Sequence, residues 1–276
     1  MKSYTVSVIL AAYNEEIYIE RCILSLLEQT YAIGEIIVVD DGSTDKTLEI
    51  IKTLAENNKK INFVQQDHKG AGAAWNNGVS KSKGEVIMIA GADYIYGKDY
   101  IKHIIFPINK EEAFLSMHKV EKVVNWSNIW ARSFGPRICV DKNNESEIYS
   151  LIKKDKYLEY GGHDESLGYA SDKGIYFKSG IKAKGVDAEI YHHNPDSLKE
   201  AWNQSLWVGA SLKYNPILIL SFPFLPILSL GKTIQHLIKK DFQFQLIFFL
   251  PIFYTIKYTA FYIGWAKSFF SKDIKR

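Results

Sequence analysis

The N-terminal part of the sequence alternates between short apolar runs and amphipathic stretches, and this alternation constrains the fold most. Apolar runs occupy residues 5–12, 36–39, 61–64 and 86–89, and each is bounded by polar or glycine-rich segments, as buried strands are. Between them, apolar residues recur every three or four positions, the spacing of one helix face. The βαβαβαβ order predicts an α/β fold with a mostly parallel sheet and helices on both faces. Residues 105–160 show no settled periodicity, and no element is predicted there.

Composition excludes several other classes of protein. The 276 residues include 34 basic and 31 acidic side chains, a net charge of +3, far from the excess typical of a nucleic-acid-binding protein. We therefore expect no nucleic-acid partner. The two cysteines, Cys22 and Cys139, lack disulfide or metal-ligand spacing, so the sequence predicts neither a disulfide framework nor a zinc site.

The composition changes in the C-terminal quarter. Residues 216–230 carry no charge, and residues 242–265 carry only one. We therefore predict a domain of residues 1–212, followed by a hydrophobic helical segment of residues 213–276 that associates with membrane lipid.

How this segment meets the membrane is open from the sequence. The first stretch is shorter than the roughly 20 apolar residues of a spanning helix and contains Pro223 and Pro226, while the second contains Lys257. Both ends of the second stretch are basic, which favours the cytoplasmic side. An in-plane or re-entrant arrangement on the cytoplasmic face of the cell membrane satisfies these features best. Two membrane passes, or a buried hairpin in a soluble dimer, are the alternatives.

The predicted sheet brings three polar loops to one edge. Ligands of open parallel sheets bind beyond the carboxyl ends of the strands, and those ends lead here to residues 13–15, to Asp40 and Asp41, and to Asp93. Carboxylates from separate loops can contact a ribose or base and hold a divalent cation. The sequence therefore predicts a site for a nucleoside diphosphate at this edge.

Three segments carry a family resemblance. Residues 7–16, 37–45 and 68–78 together resemble the inverting GT-A glycosyltransferases called family 2, and the strand followed by Asp-Asp-Gly-Ser-Thr-Asp is the most specific part. The resemblance covers about residues 4–212. It implies a GT-A fold and a transferase that moves a sugar from a nucleotide-sugar donor to a glycan or polyprenyl-linked acceptor, with Mg²⁺ or Mn²⁺ as cofactor.

The resemblance also implies roles for donor-site and metal-site residues. The positions that match the donor-nucleotide site are Ala12, Tyr13, Asn14, Glu15, Asp41, Gly70 and Asn76. Asp93 and His193 match the metal site. His192 is the alternative histidine, and the sequence leaves the choice between the two open.

Asp172 matches the catalytic base of similar enzymes, which takes the proton of the acceptor hydroxyl during attack on the anomeric carbon. Asp164 and Glu165 lie close in sequence and are alternatives for that role. The expected acceptor site comprises Asp164, Glu165, Gln204 and Trp207.

Three positions depart from the family pattern. Gly91 stands where an aspartate is usual, Trp75 where an arginine is common, and Ser171 where a glutamate precedes the base. These departures motivate a second hypothesis, a sugar-nucleotide-binding protein that has lost catalysis. A nucleotidyltransferase is a third hypothesis, but it would need a glycine-rich, lysine-containing loop after the first strand, which residues 13–16 do not provide.

Overall fold

The computed structural model describes residues 2–211, 225–239 and 244–268. Its strands are β1 (Val6–Ala12), β2 (Ile33–Asp40), β3 (Ile61–Gln65), β4 (Val86–Gly91), β5 (Tyr94–Tyr96), β6 (Leu115–His118), β7 (Val120–Val123), β8 (Arg137–Ile138), β9 (Glu145–Ser146), β10 (Leu151–Lys153), β11 (Ala183–Val186) and β12 (Ile190–His192). Its helices are α1 (Ile19–Leu27), α2 (Thr47–Asn57), α3 (Ala71–Lys81), α4 (Tyr100–Ile104), α5 (Phe106–Asn109), α6 (Ile129–Phe134), α7 (Lys154–Glu159), α8 (Gly174–Ser179), α9 (Leu198–Ser211), α10 (Leu225–Lys239) and α11 (Phe244–Ser268). A 3₁₀ segment covers Glu165–Lys173.

Eight strands form the main sheet, in the order β3-β2-β1-β4-β10-β6-β11-β9. The first four in this order pair in parallel, which confirms the predicted α/β sheet. β10 is antiparallel to both of its neighbours, β4 and β6, so the sheet is mixed. A second sheet has the order β5-β12-β7-β8.

Side-chain alternation along β1 gives the main sheet one core on each face. Val8 and Leu10 belong to the core that includes residues of α1 and α2, whereas Ile9 belongs to the core that includes residues of α3. All three are fully buried. Burying such a side chain contributes roughly 1.5–3 kcal/mol relative to leaving it in water. These two cores fix the strand ends at which the predicted site lies.

The first helix begins later than its sequence pattern indicates. The apolar stripe of residues 15–29 predicts a helix from Glu15, but α1 begins at Ile19. Asn14 has a φ of 55°, in the left-handed region that interrupts a regular right-handed helix. The N–H groups of Tyr18 and Ile19 then both donate to the carbonyl of Glu15. The intervening residues therefore form a turn that keeps the end of β1 at the sheet edge.

The chain divides into two compact units. Among the described residues, one unit contains Lys122 and those that precede it, together with Pro136–His192, and the other contains Val123–Gly135 and those from His193 onward. The predicted domain boundary at residue 212 stays a prediction. Within the second unit, Trp130 and Phe134 of α6 pack edge-on against α11, with ring centroids 4.9 and 5.0 Å from those of Phe249 and Phe253 respectively.

Two helices, α10 and α11, form the described part of the predicted hydrophobic segment. Residues 212–224, which contain most of the first apolar stretch, lie outside the described residues. None of the helices in the described ranges is both long enough and apolar enough to cross a membrane. The predicted hydrophobic helical segment is therefore not supported by the described helices.

Candidate functional site

The carboxylate of Asp41 joins the end of β2 to the segment that leads into α3. Its Oδ1 accepts from Gln66 Nε2 (2.8 Å) and from the N–H of Lys69 (2.9 Å). Its Oδ2 accepts from the N–H of Gly70 (2.8 Å) and lies 2.9 Å from His68 Nδ1. Four donors fill the ordinary acceptor capacity of a carboxylate. The predicted contact of Asp41 with the donor nucleotide stays a prediction, and it would require one of these donors to move.

The loops after β1 and β2 are hydrogen-bonded to each other, as their shared sheet edge predicts. The N–H of Asn14 donates to Ser43 Oγ (3.0 Å), and Asn14 Oδ1 accepts from the N–H of Thr44 (2.8 Å). The N–H of Glu15 donates to Thr47 Oγ1 (2.7 Å). These contacts hold the two loops in one arrangement before any ligand binds.

An aromatic pair lies beside these loops. Tyr13 stacks on His68, with ring centroids 4.0 Å apart and planes inclined by 24°. The carbonyl of Ala12 accepts from the N–H of Asp41 (2.8 Å), which fixes the backbone that precedes Tyr13. Gly70 has a φ of 94°, a conformation that costs a residue with a Cβ free energy. Glycine is therefore the residue that lets the chain turn into α3 at this position with little strain.

Asp93 meets His192 across the small sheet. β12 pairs antiparallel with β5 and places His192 opposite Tyr94. His192 Nε2 then lies 3.0 Å from Asp93 Oδ2, and both side chains are partly exposed. A carboxylate oxygen and an imidazole nitrogen are ligands that divalent metals accept, so these residues fit the expected cation. His193 belongs to the second unit, and its metal role stays a prediction.

The first carboxylate of the family's metal motif has no room in this chain. A Cβ built at Gly91 would lie 2.7 Å from Tyr94 Cε2 and 3.1 Å from Asp93 Oδ1. The ring of Tyr94 also lies against His192, with centroids 4.8 Å apart. Glycine at position 91 therefore leaves space for the ring of Tyr94, which packs against His192.

Asn76, predicted to contact the donor, connects α3 to the loop that precedes the 3₁₀ segment. Its Oδ1 accepts from the hydroxyl of Tyr157 (2.6 Å) and from the N–H of His163 (3.0 Å). Its Nδ2 donates to the carbonyl of His163 (3.0 Å) and to Glu165 Oε1 (2.9 Å). The side chain therefore positions this loop, and its contact with a donor stays a prediction.

The other two departures from the family pattern have packing roles. Trp75 Nε1 donates to the carbonyl of Ala90 (3.1 Å) and so ties α3 to β4. Ser171 is buried, and a Cβ built at Gly72 would lie 3.1 Å from Ser171 Cβ. This close approach packs Ser171, the residue before Asp172, against the first turn of α3.

Asp172 and Asp164 lie in different electrostatic environments. Burial raises the pKa of Asp172 to about 6, and the nearby charges of Arg137 and Lys173 oppose this shift. Asp164 accepts from the hydroxyl of Ser166 (2.6 Å), and this hydrogen bond lowers the pKa of Asp164. A carboxylate with a raised pKa is suited to act as a base near neutral pH.

Some residues of the site have no counterpart in the predictions. Gln66 and Tyr94 lie in no motif, and their contacts depend on tertiary packing. The indirect signal for Tyr94 is Gly91, because a glycine leaves space for a neighbouring ring. Gln204 and Trp207, expected in the acceptor site, lie on α9 of the second unit, and their roles stay predictions.

Comparison with known proteins identifies relatives of the chain. The sequence profile described as Glycosyl transferase family 2 matches residues 7–171. Glycosyltransferase GlyA of Streptococcus pneumoniae serotype 4 is 33% identical over 235 residues, which cover 74% of this chain and 33% of GlyA. An uncharacterized glycosyltransferase of Haemophilus influenzae is 37% identical over 157 residues, which cover 55% of either chain. The chain thus spans between 33% and 55% of the length of these two relatives.

Solved structures share the fold at low sequence identity. The mannosyltransferase PcManGT from Pyrobaculum calidifontis, in complex with GDP-Man and Mn²⁺, has a TM-score of 0.64 at 18% identity, covering 99% of this chain and 89% of PcManGT. S. aureus TarS 1-349, in complex with UDP, has a TM-score of 0.56 at 19% identity, covering 77% and 66%. These likenesses show a GT-A-like fold.

A substitution at position 91 tests whether the ring of Tyr94 excludes a side chain at Gly91. We expect Gly91→Asp to lower the free energy of unfolding by about 1–3 kcal/mol, because the new side chain overlaps Tyr94. In the Gly91→Asp, Tyr94→Ala double variant the ring is gone, so the two effects should be non-additive by about 0.5–3 kcal/mol. Urea denaturation of the parent, both single variants and the double variant measures this coupling.

The matched control is Gly231, where an added Cβ meets nothing within 4 Å. Gly231→Asp and Tyr94→Ala should be additive. Additive effects at Gly91 and Tyr94 as well would show that the ring does not exclude a side chain at position 91.

Proposed function

The chain belongs to glycosyl transferase family 2, and we propose that it transfers a hexose from a nucleoside diphosphate sugar to a hydroxyl or phosphate of a glycan or lipid-linked acceptor, inverting the anomeric carbon. The observation that carries the proposal is the environment of Asp172. Burial raises the pKa of this carboxyl group to about 6. Such a group is ionised at neutral pH and yet basic enough to accept a proton.

In the proposed reaction Asp172 takes the proton of the acceptor hydroxyl. The hydroxyl oxygen attacks the anomeric carbon from the side opposite the leaving group, and the bond from that carbon to the phosphate oxygen breaks. Arg137 and Lys173 lower the pKa of Asp172 against the effect of burial, which keeps the carboxylate ionised. The hydrogen bond from Asn76 to Glu165 holds the preceding loop in place.

The donor's nucleoside is proposed to bind beside the stacked rings of Tyr13 and His68, since a flat aromatic face suits a base. Contact with Asp41 then requires Gln66 or His68 to turn away. The other two donors to Asp41 are backbone N–H groups, which cannot move without a change in the loop. Recognition of the base by Asp41 would therefore depend on movement of the Gln66 or His68 side chain.

Asp93 and His192 are the residues proposed to hold the divalent cation. A cation held there would neutralise charge that develops on the leaving diphosphate. With only one carboxylate, the set resembles Mg²⁺ and Mn²⁺ sites in which phosphate and water supply the remaining ligands. The imidazole favours Mn²⁺ over Mg²⁺, because nitrogen ligands suit transition metals better.

The second candidate function is a sugar-nucleotide-binding protein without transferase activity. The departures at Gly91, Trp75 and Ser171 favour it, because each removes a charged or acidic side chain that similar enzymes have. The packing contacts of these three residues are an alternative explanation of the residue types, and this explanation does not require that catalysis has been lost. Activity measurements decide between the two.

We further propose that the protein works on the cytoplasmic face of the cell membrane. On α10, three large apolar side chains at helical spacing are exposed: Ile227, Leu230 and Ile234. Lys232 on the same helix is exposed as well, and basic residues attract anionic lipid headgroups. An amphipathic helix with these features can lie in the membrane interface.

The transferase proposal is tested at Asp172. With UDP-, GDP- or dTDP-sugars and Mn²⁺, we expect the Asp172→Asn variant to lose about 10²–10⁴-fold in turnover, the usual contribution of general base catalysis. Donor affinity should stay within about twofold. The parent enzyme's turnover should rise with pH through about 6 and then level, because the base must be deprotonated. Product formation and calorimetric donor titration measure the two quantities.

Asp155→Asn, at an exposed carboxylate on α7, is the control and should keep full activity. Donor binding without turnover in the parent protein, on any acceptor or on water, would favour the second candidate function instead.

The cation proposal is tested at Asp93 and His192. We expect Asp93→Asn and His192→Gln to weaken donor binding in Mn²⁺ by about tenfold or more, and to leave donor binding in EDTA unchanged. His193→Gln decides between the adjacent histidines, and His103→Gln, at an exposed histidine of α4, is the control. Equal donor affinity of the parent in Mn²⁺ and in EDTA would rule out a role for the cation in binding.

The membrane proposal is tested by flotation with vesicles containing anionic phospholipid. The triple variant Ile227→Glu, Leu230→Glu, Ile234→Glu should reduce the fraction of protein bound to vesicles by about tenfold, because charge is costly in the membrane interface. Ile17→Glu, at an exposed apolar residue of the other unit, should bind as the parent does. Loss of a dimer in the triple variant, without any vesicle binding by the parent, would instead identify a protein–protein contact.

A further inference from the structure

Three buried side chains that the proposed reaction does not use form a cluster of metal-ligand types. His118 ends β6, Glu121 lies on β7, and Cys139 follows β8. Their exposed fractions are 3%, 2% and 8%. One ligand atom of each lies within 4.8 Å of the others. The tertiary fold thus brings together residues whose sequence spacing indicates no site.

The distances in the cluster are close to those of a tetrahedral zinc site. His118 Nε2 lies 3.1 Å from Glu121 Oε1, and Cys139 Sγ lies 3.4 Å from the same oxygen. The bond lengths of zinc sites give separations of about 3.3 Å between nitrogen and oxygen ligands and about 3.5 Å between sulfur and oxygen ligands. Two of the three separations therefore match those of ligands that share one ion, and the third pair of ligand atoms lies within 4.8 Å.

A second, independent feature indicates a ligand at this place. Glu121 Oε2 is buried and has no hydrogen-bond partner among the residues that the structure describes. A buried carboxylate oxygen without a partner costs free energy. A cation bound by this carboxylate would remove that cost.

The histidine of the cluster is also oriented as a metal ligand. His118 Nδ1 lies 2.8 Å from the hydroxyl of Tyr100 and 3.1 Å from Ser150 Oγ. Histidines that bind metals hydrogen-bond through their other ring nitrogen, which fixes the ring orientation. In the tautomer in which Nδ1 carries the proton and donates one of these hydrogen bonds, Nε2 presents a lone pair to the cluster in place of the N–H that it donates to Glu121 Oε1 (3.1 Å).

We propose that His118 Nε2, the carboxylate of Glu121 and Cys139 Sγ bind one Zn²⁺ ion, at a site separate from the cation that Asp93 and His192 would hold. Sulfur and nitrogen ligands suit Zn²⁺ and disfavour Mg²⁺. On binding, the Cys139 S–H bond breaks, a Zn–S bond forms, and the thiol proton passes to solvent. The proton that His118 Nε2 shares with Glu121 Oε1 moves to Nδ1 of the same ring, so that the Nε2 lone pair can bind the ion. The ion cross-links β6, β7 and the chain after β8.

Arg137 is the competing partner within the cluster. Its Nη1 lies 3.8 Å from Glu121 Oε1, and the arginine side chain is 44% exposed. Zinc binding therefore requires the guanidinium to give up this long contact and turn toward solvent. The cross-link would hold β7, which belongs to the same small sheet as the strand of His192.

The test uses the full chain, purified without a metal-binding tag and dialysed against EDTA. Co²⁺, a spectroscopic substitute for Zn²⁺, should bind with one equivalent and produce a thiolate-to-metal charge-transfer band. Excess Zn²⁺ should abolish the band and raise the Tm, because a ligand that binds the native state stabilises it. Absence of the band in the parent protein would overturn the proposal without reference to any variant.

Two cysteine variants locate the site. Cys139→Ser should remove the band and weaken Zn²⁺ binding by about 100-fold or more, whereas Cys22→Ser, at the other buried cysteine, should retain both. Circular dichroism confirms that each variant is folded. A band that survives in folded Cys139→Ser would overturn the assignment.

Asp93→Asn separates this inference from the proposed cation site of the transferase. The variant should keep the thiolate band and the Zn²⁺ stoichiometry even where its donor binding in Mn²⁺ is impaired. Loss of the band in Asp93→Asn would place the ion at the other site and overturn the proposal.

Discussion

The convergence of four donors on one buried carboxylate organises the rest of the site. Asp41 fixes the segment before α3 through two backbone N–H groups, and so sets where that helix begins. From α3, Gly72 packs against Ser171 and Asn76 bonds the loop at His163. Hydrogen bonds to a buried charged group are strong, and leaving such donors unpaired is costly. The packing of Ser171, the residue before Asp172, thus depends on a contact made by the loop that follows β2.

Much of the larger unit's first half could be predicted because local pattern and tertiary fold agree there. The apolar run of β1 and the stripe of α1 indicate the elements that the structure contains. The start of α1 could not be predicted, since it depends on the left-handed conformation of Asn14. β10, which joins β4 to β6, is three residues long, too short to show a period. Its pairing is decided by partners distant in sequence.

In the candidate site, too, the features set by sheet geometry could be predicted from the sequence, and those set by side-chain packing could not. Strand-end reasoning correctly brought the loops at Asn14 and Ser43 together, because sheet geometry alone requires it. It could not show that the acceptor capacity of Asp41 is already filled, or that Tyr94 occupies the space beside Gly91. Both depend on side-chain packing across long sequence separations. The choice of His192 as the contact of Asp93 likewise follows from the register of β12 on β5.

The second unit is discontinuous in sequence, and this limits how the chain can be divided. Residues 123–135 lie between two parts of the first unit, yet their aromatic side chains pack against the helix near the C-terminus: Trp130 on Phe249 and Phe134 on Phe253. A chain shortened at residue 192 would keep the two α6 rings and lose their partners. Uncovered apolar surface of this kind promotes aggregation. Removing the C-terminal helices is therefore a poor way to obtain the first unit as a soluble, isolated protein.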